Sequence, residues 1–156
     1  MRHPFTAPAL RALIRSTLEP MGLYSVNAEE LLMATAANES HLGEYRLQVN
    51  GPAIGIFQEE PEDFADLYAN FLAFRPQFKT MVDALSRTRT VQDLENNDSY
   101  AVAICRMHYM RAPGDLPPAD DLEAIWNYYK AHYNSAEGAA NAVTFAECYR
   151  KYVLGK

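Results

Sequence analysis

The segment Ala37-Asn38-Glu39-Ser40 places a carboxylate where an apolar helix runs out into an irregular stretch. Apolar walls at such a point disfavour the ionised form and raise the carboxyl's pKa. The product is a general acid able to protonate a poor leaving group near neutral pH. Downstream come Gly51-Pro52-Ala53-Ile54-Gly55-Ile56-Phe57-Gln58, then Pro61, and much later His132-Tyr133-Asn134-Ser135. Cys105 and His108 are three apart on one helix and could present two ligands to a metal, but nothing supplies the others. A buried thiol beside a hydrogen-bonded core histidine is the expectation there. His132 is read as a surface imidazole, and Trp126 as core packing rather than a sugar-stacking ring.

Positioning these residues falls to a mostly helical chain. Apolar spacing predicts a helix over 6–18 through Leu10, Leu13, Ile14 and Leu18, and one over 27–39 opened by an Asn27/Glu30 capping box. Further helices follow Pro61 (Phe64, Leu67, Tyr68, Phe71) and Pro76 (Phe78, Met81, Val82, Leu85). The stretch 99–110 is apolar nearly all round and should be the most buried helix. Prolines and a glycine over 111–118 break the chain before a stripe of Leu122, Ile125, Trp126, Tyr129 and Tyr133, and a last helix covers about 139–152. Between the second and third helices, apolar runs flank Asn50-Gly51, a dipeptide suited to a tight turn, which predicts a small β-hairpin over 45–58. Pro52 lacks an amide donor and argues against a regular central strand there. The expected fold is α+β, predominantly α-helical, as one domain over 1–156.

The chain has 156 residues, 49% hydrophobic and 22% charged, enough for one domain with a substantial core. Its longest uninterrupted apolar run, 100–105, is far below the roughly 18 residues a bilayer span needs. Stable membrane insertion is not expected. Residues 1–20 lack the apolar core of a secretory signal, so export would need a separate releasing partner. Arg2, Arg11 and Arg15 could favour an anionic surface, but an ordinary surface helix is preferred, because Glu19 interrupts the charge. Twenty acidic against fourteen basic residues give a net charge of -6, opposite to a nucleic-acid-binding footprint. Two cysteines, Cys105 and Cys148, are read as buried thiols rather than a disulfide.

The ordered set Glu39-Ser40, then Ala53-Ile54-Gly55-Ile56-Phe57-Gln58 with Pro61 soon after, then Tyr133-Asn134, resembles the lytic transglycosylase and goose-type lysozyme superfamily. The resemblance spans roughly residues 28 to 140 and implies a lysozyme-like fold. It implies Glu39 as catalytic acid/base and Tyr133 as the motif tyrosine whose hydroxyl reaches the active site. It also implies a substrate-contacting set of Ser40, Gly55, Phe57, Gln58 and Asn134, in which Ser40 leans to a structural role and Gly55 gives a sugar room to approach. Val49 and Pro52 depart from the family's serine and glycine, Phe57 replaces a common methionine, and Ser135-Ala136-Glu137-Gly138 replaces a short Ala-Gly ending.

The implied activity is cleavage of the β-1,4 bond between N-acetylmuramic acid and N-acetylglucosamine in peptidoglycan, without metal or cofactor. A lytic transglycosylase needs one carboxyl group, whereas a hydrolase needs a positioned water and usually a second carboxylate. Of the three acidic residues between Ser40 and Pro61, Glu44, Glu59 and Glu60, Glu44 is the candidate for that second group, and the sequence leans towards transglycosylation. The implied setting is a monomeric phage endolysin, made in the host cytoplasm and released to the cell wall by a holin-type partner. A non-enzymatic virion structural or glycan-binding protein on the same scaffold is the rival reading.

Overall fold

The computed structural model describes residues 3–134 and 139–156, and every regular element among them is helical. Helix α1 (Ala7–Leu18) opens on Thr6, whose hydroxyl accepts the Ala9 amide at 3.2 Å, with Pro8 in the first turn where no amide donor is needed. Helix α2 (Val26–Ser40) opens on Ser25 rather than Asn27: Ser25 Oγ accepts the Ala28 amide at 3.0 Å. Asn27 instead accepts the Ala119 amide at 2.8 Å, and Glu30 turns to Arg11. An ion pair to another helix has displaced the expected capping box.

Prolines at the first position start α3 (Pro61–Asn70) and α4 (Pro76–Asp83), which a short 3-10 turn, Leu72–Phe74, joins. A second such turn, Val91–Glu95, leads into α5 (Asp98–Arg111). Helix α6 (Leu122–His132) follows the proline-rich break, and α7 (Ala142–Cys148) runs on into a π-helical turn, Tyr149–Val153.

Two helices form the centre. Ten of the fourteen residues of α5 are buried, but so are eleven of the fifteen of α2, which packs against α1, α5, α6, α7 and the terminal turn. The burial of α2 is hard to read in sequence because it includes Glu29 and Glu30. Both carboxylates are satisfied: Arg11 Nη1 lies 2.8 Å from Glu29 and 2.7 Å from Glu30, and the Tyr24 and Tyr149 hydroxyls donate to Glu29 and Glu30 respectively. Arg11, partly buried, and Arg15, still exposed, therefore tie α1 to α2. Arg2 lies outside the described residues. Cys105 and Cys148 are both buried and unpaired.

The expected hairpin over 45–58 is not formed, and the fold is all-α among the described residues rather than α+β. Only isolated bridges pair Leu47 with Ile54 and Ile54 with Glu59. Asn50 takes the left-handed turn that its type favours (φ 59°), but Gly55 (φ 87°) and Gln58 (φ 50°) leave the extended region as well. Three left-handed residues within nine positions, with Pro52 lacking a donor, give no run of extended residues long enough for a ladder.

Side chains hold this loop instead of strands. Arg46 Nη1 reaches Asp98 at 2.6 Å and the Glu95 carbonyl at 2.9 Å, Ser40 donates to the Ile56 carbonyl at 2.6 Å, and Tyr133 to the Phe57 carbonyl at 2.6 Å. Gly55 packs against another backbone: a Cβ there would lie 2.6 Å from the Leu94 carbonyl oxygen. Gly55→Ala should therefore lower stability by at least about 2 kcal/mol, from left-handed strain and the clash combined. Urea denaturation checks this, and an unchanged midpoint would contradict it.

Candidate active site

Glu39 lies in the last turn of α2, just before three consecutive left-handed residues, His41, Leu42 and Gly43, end the helix. Its carboxyl keeps an opening to the surface at the place where two depressions meet. One, of about 650 Å³, lies towards α3 and α5; the other, of about 420 Å³, lies towards α7. Glu39, Gln58, Glu60 and Asn134 line both, so the two form one groove with Glu39 at its middle. The α3 side carries Glu59, Asp63, Asp66, His108 and Arg111. Beyond the shared Glu39 and Glu60, the α7 side adds only uncharged groups, Asn38, Gln48, Asn141, Thr144 and the Tyr129 hydroxyl among them.

Burial is the main force on the Glu39 carboxyl and pushes it up to about 7. The Tyr129 hydroxyl, which donates a hydrogen bond to Oε2, pulls in the opposite direction, and the charge of Glu60 adds to the rise. Tyr129 is itself oriented, since its hydroxyl accepts from Asn38 Nδ2 at 3.0 Å. Near neutral pH the groove thus holds a carboxyl with both protonation states within reach, able both to give a proton and to take one back.

The structure places the other expected residues unevenly. Gln58 and Asn134 are in the groove. Gln58 Nε2 donates to the Gly55 carbonyl at 2.9 Å, and Asn134 Oδ1 accepts from Lys130 at 2.8 Å. Tyr133 borders the α3 side, but its hydroxyl is spent on the Phe57 carbonyl, so it positions the loop, and Tyr129 is the tyrosine on the acid. Ser40 is fully buried, its hydroxyl donating to Ile56 and accepting from the Gly43 amide at 2.9 Å. Phe57 is in the core, and Gly55 makes room for Leu94 rather than for a ligand. Glu44 lines neither half of the groove; its carboxylate lies 3.4 Å from His41 Nδ1 on the outside. Ser135 to Gly138 fall outside the described residues.

The sequence pattern did not reveal Tyr129, Asn38 or the pairing of Glu59 with His108, and it favoured Glu44 over Glu60, which is the one in the groove. Tyr129 sits four residues before Tyr133 on the same helical face, which is the signal that could have found it. His108 Nε2 lies 2.7 and 2.8 Å from the two oxygens of Glu59, a nearly buried pair facing the groove, in which burial pushes the Glu59 pKa up and His108 pulls it down. Cys105 does not join them: its thiol is pushed up by burial and contacts the Tyr133 hydroxyl, so it is not an activated nucleophile. No group of three metal-ligating side chains occurs among the described residues. Trp126, half-buried, packs on Phe145 and Tyr129 against the core, and His132 is exposed at the rim of the groove.

No protein-family model, curated protein or solved structure matches the chain.

The shift at Glu39 has a consequence for stability. A carboxyl raised from 4.5 to about 7 on folding stabilises the protein fully below pH 4.5, and that contribution is lost as pH rises through 7. Glu39→Gln removes the loss, and should be more stable than the parent at pH 8 to 9 by up to roughly 3 kcal/mol while matching it at pH 4. Chemical denaturation at the two pH values measures this. Equal differences at both would show that the carboxyl is not shifted.

Proposed function

We propose that the protein cleaves the glycan strand of peptidoglycan, with Glu39 donating the proton to the leaving glycosidic oxygen. The observation that carries this reading is a carboxyl held near pKa 7 at the midpoint of an open groove, where a polymer can extend to either side. Glycosidic cleavage needs that protonation because an alkoxide is a poor leaving group, and it needs polar contacts to orient the sugars. Gln58, Asn134, Asn38, Gln48 and Asn141 along the groove suit the acetamido and hydroxyl groups of amino sugars. The likeness of Glu39-Ser40, Ala53 to Gln58 and Tyr133-Asn134 to the lytic transglycosylase and goose-type lysozyme motifs supplies the choice of peptidoglycan. The biological setting we infer is lysis of a bacterial host by a phage enzyme, with a separate partner opening the membrane to let it reach the cell wall.

Incubation with purified sacculi tests this. The parent should release soluble muropeptides, and Glu39→Gln should lose turnover by about 10³-fold while remaining folded. Because the protonated form of Glu39 is the active one, kcat/KM should fall as pH rises through about 7. In Tyr129→Phe the hydrogen bond that favours the carboxylate is gone, so this alkaline limb should move to higher pH. Release of nothing by the folded parent, or full activity in Glu39→Gln, would reject the proposal and favour a glycan-binding or structural role.

A further inference from the structure

We propose that Glu60 is a second catalytic carboxylate, the base that takes a proton from an attacking water, so that the chain is a hydrolase rather than a transglycosylase. This rests on the reading of the groove as a glycan-cleaving site.

The geometry singles out Glu60 among the acidic residues near Glu39. It lines both halves of the groove, as Glu39 does, and is the only other carboxylate among the described residues to do so. Glu59 is held by both oxygens against His108, Asp66 is paired with Arg111 at 2.6 Å, and Glu44 faces away. Asp63 borders the α3 side alone. Glu60 also occupies the position just before α3, where an acidic side chain would ordinarily turn back to cap the helix. It makes no such bond to the Glu62 or Asp63 amide. Its carboxylate is thus exposed and has no hydrogen-bond or ion-pair partner among the described residues, while its charge reaches Glu39.

Two carboxyl groups in unlike surroundings facing one groove divide the work of glycoside hydrolysis. The buried one is placed to supply a proton and the solvent-facing one to take a proton from water. Water oxygen bonds to the anomeric carbon and its proton passes to Glu60. The bond from that carbon to the bridging oxygen breaks as the oxygen takes the Glu39 proton. The products are a reducing-end muramic acid and a free 4-hydroxyl. Glu60 then releases its proton to solvent and Glu39 regains one.

The experiment digests sacculi in H2(18)O with the parent, Glu60→Gln, Glu60→Ala and Glu39→Gln, and reads the muropeptides by mass spectrometry. The parent should give reducing muropeptides carrying one heavy oxygen. Glu60→Gln should lower kcat by about 100-fold or more with KM changed little. Azide should restore turnover to Glu60→Ala and yield a glycosyl azide, a rescue that a merely structural residue would not show. Anhydro products without heavy oxygen, dependent on Glu39, would overturn the role of Glu60 and leave the proposed glycan cleavage standing. A Glu60→Gln variant with full kcat, or a Glu60→Ala variant that azide does not rescue, would overturn it as well. Absence of any glycan product from the parent would overturn both.

Discussion

The hydrogen bond from the Tyr129 hydroxyl to Glu39 is the contact on which the site depends. Burial alone would push the carboxyl further towards a permanently neutral acid, and the hydroxyl holds it near 7, where both protonation states are within reach. For this bond to exist, the end of α2 must meet the middle of α6, and much of the surrounding packing secures that meeting. Tyr129 stacks with Tyr133 at 5.9 Å and packs on Phe145 at 5.0 Å, while Asn38 fixes its hydroxyl from the neighbouring position on α2. Helix α2 is held at its other end by the Arg11, Glu29 and Glu30 cluster.

The loop that closes the groove is ordered by a different means. It has no strand ladder, so its shape comes from side chains that reach backbone carbonyls: Ser40 to Ile56, Tyr133 to Phe57 and Arg46 to Glu95. Residues resembling a family's substrate-binding motif are here largely structural, and this gives Ser40, Gly55, Phe57 and Tyr133 a common physical role. They hold Gln58 in a left-handed conformation (φ 50°) at the groove, a strained setting for a side chain with a Cβ. Such strain persists only where neighbours over-determine the backbone, as the buried residues on either side of Gln58 do.

Helix positions were legible because apolar spacing and prolines mark them directly. Pro61 and Pro76 begin α3 and α4, and the stripe from Leu122 to Tyr133 matches α6. The buried, raised carboxyl of Glu39 was legible from its place at a helix end. The loop was misread because Asn50-Gly51 between apolar runs is as much a hairpin signal as a turn signal, and the deciding facts are long-range. Leu94 forces a glycine at position 55, and Arg46 leaves the chain to pair with Asp98, fifty-two residues on. Burial of α2 was hidden by charged residues whose partners lie on α1 and in the terminal turn. Tyr129 was read as core, and it is core; its hydroxyl alone belongs to the groove.

The chemistry of the groove rests on a carboxyl whose protonation is in balance near neutral pH. A carbon-13 NMR titration of the Glu39 carboxyl, assigned by comparison with Glu39→Gln, measures it without reference to any substrate. The midpoint should lie near 7. A midpoint near the ordinary 4.5 would contradict it, leaving Glu39 a carboxylate at neutral pH without a proton to give.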